Sequence, residues 1–174
     1  MCLVCEQLAC TYGELCGKVK IYNTPGSATE ALGREAEWEH VIPNAVISQS
    51  TFLNRNLRIT YNTSTVYALD KSVHRDAMDG AGDGITSTGR SQTSQGWAKL
   101  LIPMFDGGCA DEAVNRLFID EVHAIKALKD TTLRFPYIAS LGAVLHSYRG
   151  SGIITQSALD AIYKWVASEL SSRV

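Results

Sequence analysis

Hydrophobic positions recur at helical spacing mainly in the later part of the chain. Ala113, Leu117, Val122, Ile125 and Leu128 fall near a period of about 3.6 residues after Asp111, a residue suited to a helix start, and Asp130-Thr131-Thr132 breaks the run. Thr155 or Ser157 opens a last helix with a buried stripe of Leu159, Ile162, Val166 and Leu170. Residues 101–174 therefore read as helices packed on whatever precedes them.

The earlier part is more broken. An amphipathic helix is expected from about Leu3 to Leu15, followed by a cluster of turn formers from Tyr22 to Ser27. Thr29 to Ala36 is short and interrupted by Gly33, so it reads as a loop. Trp38 to Ile42 carries β-branched and aromatic residues and ends at Pro43-Asn44, which predicts a short strand. A short helix over Ala45–Leu53, a turn at Asn54-Arg55-Asn56 and a second strand over Leu57–Thr60 are expected next. Tyr61–Ser64 reads as a loop, and Thr65–Leu69 opens the segment that carries His74, with Asp70 or Ser72 as its helix cap. Residues 79–96 are rich in Gly, Ser and Thr and almost devoid of apolar side chains. That predicts an exposed loop longer than the roughly 12 to 15 residues usual in a compact domain. No internal repeat or long linker is visible, so the expectation is one α+β domain, mostly helical.

Composition narrows the classes. A chain of 174 residues with 45% hydrophobic and 20% charged residues has the makings of a real core, burying roughly 70% of its unfolded surface. No run approaches the roughly 20 apolar residues of a membrane-spanning helix. The opening Met1-Cys2-Leu3-Val4-Cys5-Glu6 lacks the basic-then-apolar pattern of an export signal. Action in the cytoplasm is expected, either of the producing cell or of a target cell reached through another system. A formal charge of −2 argues against a broad phosphate-binding surface. The middle is locally basic, however: Arg55, Arg58, Lys71, Arg75, Arg90 and Lys99 stand against Asp70, Asp76, Asp79 and Asp83.

Four of the five cysteines, Cys2, Cys5, Cys10 and Cys16, crowd the first sixteen residues. Cys2-x-x-Cys5 has the spacing of half a structural zinc site, but Cys10 and Cys16 stand farther apart than the usual second pair. A four-thiolate zinc site, a disulfide framework and plain apolar packing all remain open.

The chemistry-bearing residues lie between Glu39 and His74. Glu39-His40 puts a carboxylate beside an imidazole at the end of a strand, where Pro43 forces a change of direction. Hydrolysis of a phosphodiester needs a base to activate water and a positive centre for the developing charge. A neutral histidine supplies the first, and a divalent ion held by a carboxylate and another histidine supplies the second. Glu39, His40, Asn62 and His74 are the residue types required. The loop Gly84–Gln95 offers hydroxyl and backbone donors for phosphate, with Arg90 as a charge partner, but has neither a Walker pattern nor a GxGxxG.

The string Glu39-His40-Val41-Ile42-Pro43, a loop with Asn62, and Val73-His74-Arg75 at a helix start resemble the ββα-metal site of HNH nucleases, in particular the small nuclease toxin domains of bacterial polymorphic toxin systems. The resemblance covers about residues 35–100. It implies a ββα-metal core over that span, with residues 1–34 as an N-terminal helix and Cys-rich segment and residues 101–174 as helices packed against the core. It also implies that His40 is the general base, that Glu39 and His74 bind a divalent ion, and that Asn62 orients the ring of His40. Mg²⁺ is the first expectation for that ion, with Mn²⁺, Ni²⁺ or Zn²⁺ as alternatives. Arg75 is placed to clamp the scissile phosphate. Glu39 stands where the family more often has Asp, and no Cys pair of the zinc-containing subgroup separates His40 from His74. DNA or RNA is the implied substrate, and a cognate immunity protein the implied partner. Two other readings stand beside this one: a zinc-stabilised nucleic-acid- or protein-binding module built on the N-terminal cysteines, and a hydrolase using Cys109 or an N-terminal Cys as nucleophile.

Overall fold

The computed structural model describes residues 19–23, 25–71, 92–128 and 131–171. Thr65-Val66-Tyr67-Ala68-Leu69-Asp70 forms the central strand β3 (Thr65–Asp70) of a three-stranded antiparallel sheet, flanked by β1 (Val19–Ile21) and β2 (Ala36–Glu39). All of β3 but its last residue is buried, as its β-branched and aromatic composition suits. The register aligns Val19 with Tyr67 on one side, and Ala36 with Asp70 and Glu39 with Tyr67 on the other.

The chain between β2 and β3 is longer than a hairpin turn and is largely helical. After β2 it passes through His40, Val41 and Ile42 into α2 (Asn44–Gln49), and a π-helical turn follows at Phe52–Asn56. Before β2, α1 (Ala28–Leu32) is set by a capping box. The Ser27 hydroxyl accepts the Glu30 N–H, the Ser27 N–H donates to the Glu30 carboxylate, and Gly33 closes the helix in the left-handed region at φ 68°.

Four longer helices complete the described fold: α3 (Gln92–Asp106), α4 (Ala110–Ala127), α5 (Arg134–Gly150) and α6 (Gln156–Ser171). Helix α5 packs on β3 and against both α4 and α6. An unbroken run from Tyr137 to Leu145 is buried in it, which is the behaviour of a helix covered on all sides. One continuous core joins Tyr67 and Leu69 of the sheet to Leu117 and Phe118 of α4, Leu141 and Val144 of α5 and Ile162 of α6. The architecture is α+β and mostly helical, as expected. No helix among the described residues is long and apolar enough to cross a membrane.

Several boundaries differ from the pattern reading. Leu57–Thr60 is not a strand. Leu57 N–H bonds back to the Phe52 carbonyl, Arg58 takes φ 57°, and Ile59 N–H donates to the Leu53 carbonyl, so the alternation of Leu57 and Ile59 reflects packing of an irregular segment. The strand that pairs with β2 is β3. The predicted strand Trp38–Ile42 runs instead from Ala36 to Glu39, because the chain turns at Val41-Ile42 to enter α2. Residues 28–32, expected as loop, are helical through their capping box. The end of the expected loop 79–96 is the first turn of α3, from Gln92 onward. The first predicted helix, with Cys2, Cys5, Cys10 and Cys16, and the segment with His74, Arg75 and Arg90 lie outside the described residues.

Candidate functional site

The site is built where β2 ends. Glu39 is its last residue, aligned across the sheet with Tyr67, so the two side chains share a face. That face looks toward the helices. The Tyr67 hydroxyl donates to Oε2 of Glu121 on α4 at 2.9 Å. Glu39 is 2% exposed and Glu121 wholly buried. Among the described residues, Oε1 of Glu121 has no hydrogen-bond partner.

The electrostatics follow from this burial. The Glu121 carboxyl is pushed well above the usual carboxylate range, first by loss of water and then by the charge of Glu39. The Tyr67 hydroxyl is raised well above its ordinary value by burial and by Glu121. Tyr148 of α5, raised chiefly by burial, accepts the Ile42 N–H through its hydroxyl at 3.3 Å. Two carboxyls and two phenols from β2, β3, α4 and α5 thus form a buried polar cluster. Its Tyr148 member holds the backbone turn just after His40.

His40, one residue on, leaves the strand and meets a different environment. As a residue it is 8% exposed. It stacks on Tyr61 with centroids 4.4 Å apart and planes 14° from parallel, while Tyr22 packs obliquely on both rings at 4.8 and 4.6 Å. Nε2 of His40 lies 3.3 Å from the Tyr61 carbonyl oxygen. A proton on Nε2 donated to that carbonyl selects the tautomer in which Nδ1 is the basic nitrogen. The Tyr61 hydroxyl is pushed up to about 12 by burial and by its contact with Tyr22, and so stays neutral at working pH.

These rings form one wall of a cleft of about 660 Å³ between β1, β2 and α1, lined also by Lys20, Trp38, Asn44 and the turn at Gly26. A small clasp holds the opposite wall. Lys20 donates to the Gly26 carbonyl at 2.7 Å and lies over the Trp38 ring at 4.6 Å, and the Trp38 indole N–H donates to the same carbonyl at 3.2 Å. Trp38 is therefore an anchor of this wall.

Of the expected site residues, the structure brings Glu39 and His40 to the same end of β2 but turns them toward different surroundings. Asn62 lies on the loop beside His40, is exposed, and accepts the Asn23 N–H through its backbone carbonyl. The loop's recorded contact with the His40 ring comes from Tyr61. His74 and Arg75, the other expected ligand and the expected phosphate clamp, lie outside the described residues, as do Cys2, Cys5, Cys10 and Cys16. Among the described residues no group of three or more His, Cys, Asp or Glu side chains is placed to hold a metal ion. The donor chemistry at Glu39 nevertheless suits a hard divalent cation, since a buried carboxylate and the partnerless Oε1 of Glu121 both gain from positive charge.

Three residues of this region were not anticipated. Glu121 occupies the apolar stripe of α4, four residues after Leu117 and four before Ile125, and a carboxylate at such a position is a readable signal. Tyr22 and Tyr61 sit among turn formers, and nothing in their local pattern announces that they meet at His40. His123 and His146 serve as ring contacts, to Trp165 at 5.7 Å and to Tyr163 at 5.5 Å. Cys109, an exposed free thiol, begins α4. No protein-family model, curated protein or solved structure matches this chain.

Proposed function

We propose that the protein is a metal-dependent endonuclease of the HNH kind, acting on DNA or RNA. The observation that carries this reading is the setting of His40: an imidazole at the end of a strand in an antiparallel pair, lining a cleft, with its ring fixed by stacking and by a backbone carbonyl. Such a histidine is oriented before substrate arrives, which is what a general base requires.

In this mechanism Nδ1 of His40 takes a proton from the attacking water, and the Tyr61 carbonyl steadies the imidazolium that forms. Glu39 and His74 would hold the divalent ion, and Arg75 would take a non-bridging phosphate oxygen. A divalent ion held there would supply positive charge for the phosphate and the leaving oxygen. Asn62 borders the same loop and belongs to the orienting set through its neighbour Tyr61. By the same resemblance, the activity is that of an antibacterial toxin or effector domain, held in check by a dedicated immunity protein.

A plasmid-nicking assay with Mg²⁺, Mn²⁺ or Ni²⁺ tests the reading. Cleavage should require the metal, stop with EDTA, and fall by about 10²- to 10⁴-fold in His40→Ala, the usual contribution of a positioned general base. Undiminished cleavage by the His40 variant would overturn it.

A further inference from the structure

Among the described residues, the cleft beside His40 is poor in the charges that hold a nucleic-acid backbone. Among the described residues lining it, Lys20 is a cation and already bonds the Gly26 carbonyl. A duplex bound through its phosphates needs many Lys and Arg contacts, and the described part of this wall supplies Lys20 alone. It supplies aromatic surface instead. Tyr61 stacks on His40, meets Tyr22 obliquely, is still 38% exposed as a residue and lines the cleft. Trp38 already carries Lys20 over its ring. At about 660 Å³ the cleft has the size of pockets that enclose a small molecule, in the range of roughly 300 to 1,000 Å³. It suits an individual nucleotide.

We infer that Tyr61 is a stacking platform for one unpaired nucleobase, extending the His40–Tyr61 stack into the cleft, and that the preferred ligand is single-stranded nucleic acid. The inference rests on the nuclease reading for the class of ligand. Stacking places the adjoining phosphodiester near His40 without relying on a basic groove. Asn44 and the Lys20 end of the opposite wall border the same space.

The test is a binding titration of the full chain in EDTA, read by anisotropy of labelled DNA and RNA oligonucleotides of one length, each single-stranded and as a duplex. The single strand should bind more tightly than the duplex, and the DNA and RNA arms identify which strand is preferred. Tyr61→Leu keeps apolar bulk but removes the π face, and should weaken single-strand binding about 5- to 100-fold. Tyr61→Phe and Tyr61→Trp should retain it. Equal binding by the Leu and Phe variants, tighter binding of the duplex, or no binding to either would overturn the inference. Tyr61-dependent binding without metal-dependent cleavage would uphold it and reject the nuclease reading alone.

Discussion

Glu121 is the residue whose chemistry is most at odds with its surroundings. It is wholly buried in the α4 stripe, bonded to Tyr67 through one oxygen, and faced by Glu39 from β2 with Tyr148 of α5 nearby. A carboxyl raised on folding binds its proton more tightly in the folded state than in the unfolded chain. Its cost is absent below the unfolded carboxylate value of about 4.3 and grows as pH rises from there toward the folded value. Stability should therefore decline across that window, and Glu121→Gln, which keeps the shape without the charge, should flatten the decline. Urea denaturation at pH 5 and pH 8 checks this, and an unchanged pH difference in the variant would refute it. At this scale the sequence was legible only in part. Glu39-His40 stood out because two reactive side chains precede Pro43, whereas Tyr61 reaches His40 through a backbone carbonyl, a contact that no side-chain pattern encodes.

At the scale of elements, local signals and tertiary packing competed. Ser27-Ala28-Thr29-Glu30 carries the capping-box spacing that makes α1, and Gly33, which discouraged a helical reading, is the residue that ends it. Because Ser27, Ala28 and Thr29 border the cleft, the cap also shapes the site. Ser27→Ala should cost about 1 kcal/mol of stability in chemical denaturation, the usual loss for removing such a cap; a change within error would mean that tertiary contacts alone hold α1. Leu57-Arg58-Ile59-Thr60 shows the opposite case. Its alternation imitates a strand, yet Leu57 and Ile59 pack from a segment in which Arg58 takes a left-handed conformation. Period alone does not distinguish a pleated strand from an irregular segment that buries every second residue. Helix α5 escaped individual notice for a related reason, since a helix buried around its circumference shows no polar face to mark its period.

For the whole molecule, α5 is the element that joins sheet and helices. Leu141, 1% exposed, belongs to the core shared by β3, α4 and α6. Leu141→Ala should cost about 2 to 5 kcal/mol, the range for truncating a well-packed leucine. The loss should appear as one shifted unfolding transition, equal by circular dichroism and by fluorescence; separate transitions for sheet and helices would show that the core is not cooperative. Fluorescence has a further use here. The chain has three tryptophans, and they occupy distinct places: Trp97 on α3, Trp165 on α6, and Trp38 in the clasp with Lys20 and Gly26 on the cleft wall. With Trp97 and Trp165 replaced by Phe, the emission of the protein would come from one indole held against an ammonium group and a carbonyl at the mouth of the site. Any ligand that displaces the lysine or dries that wall would then change colour and intensity without a label. The clasp that braces the cleft is thereby also a built-in optical gauge of its occupancy.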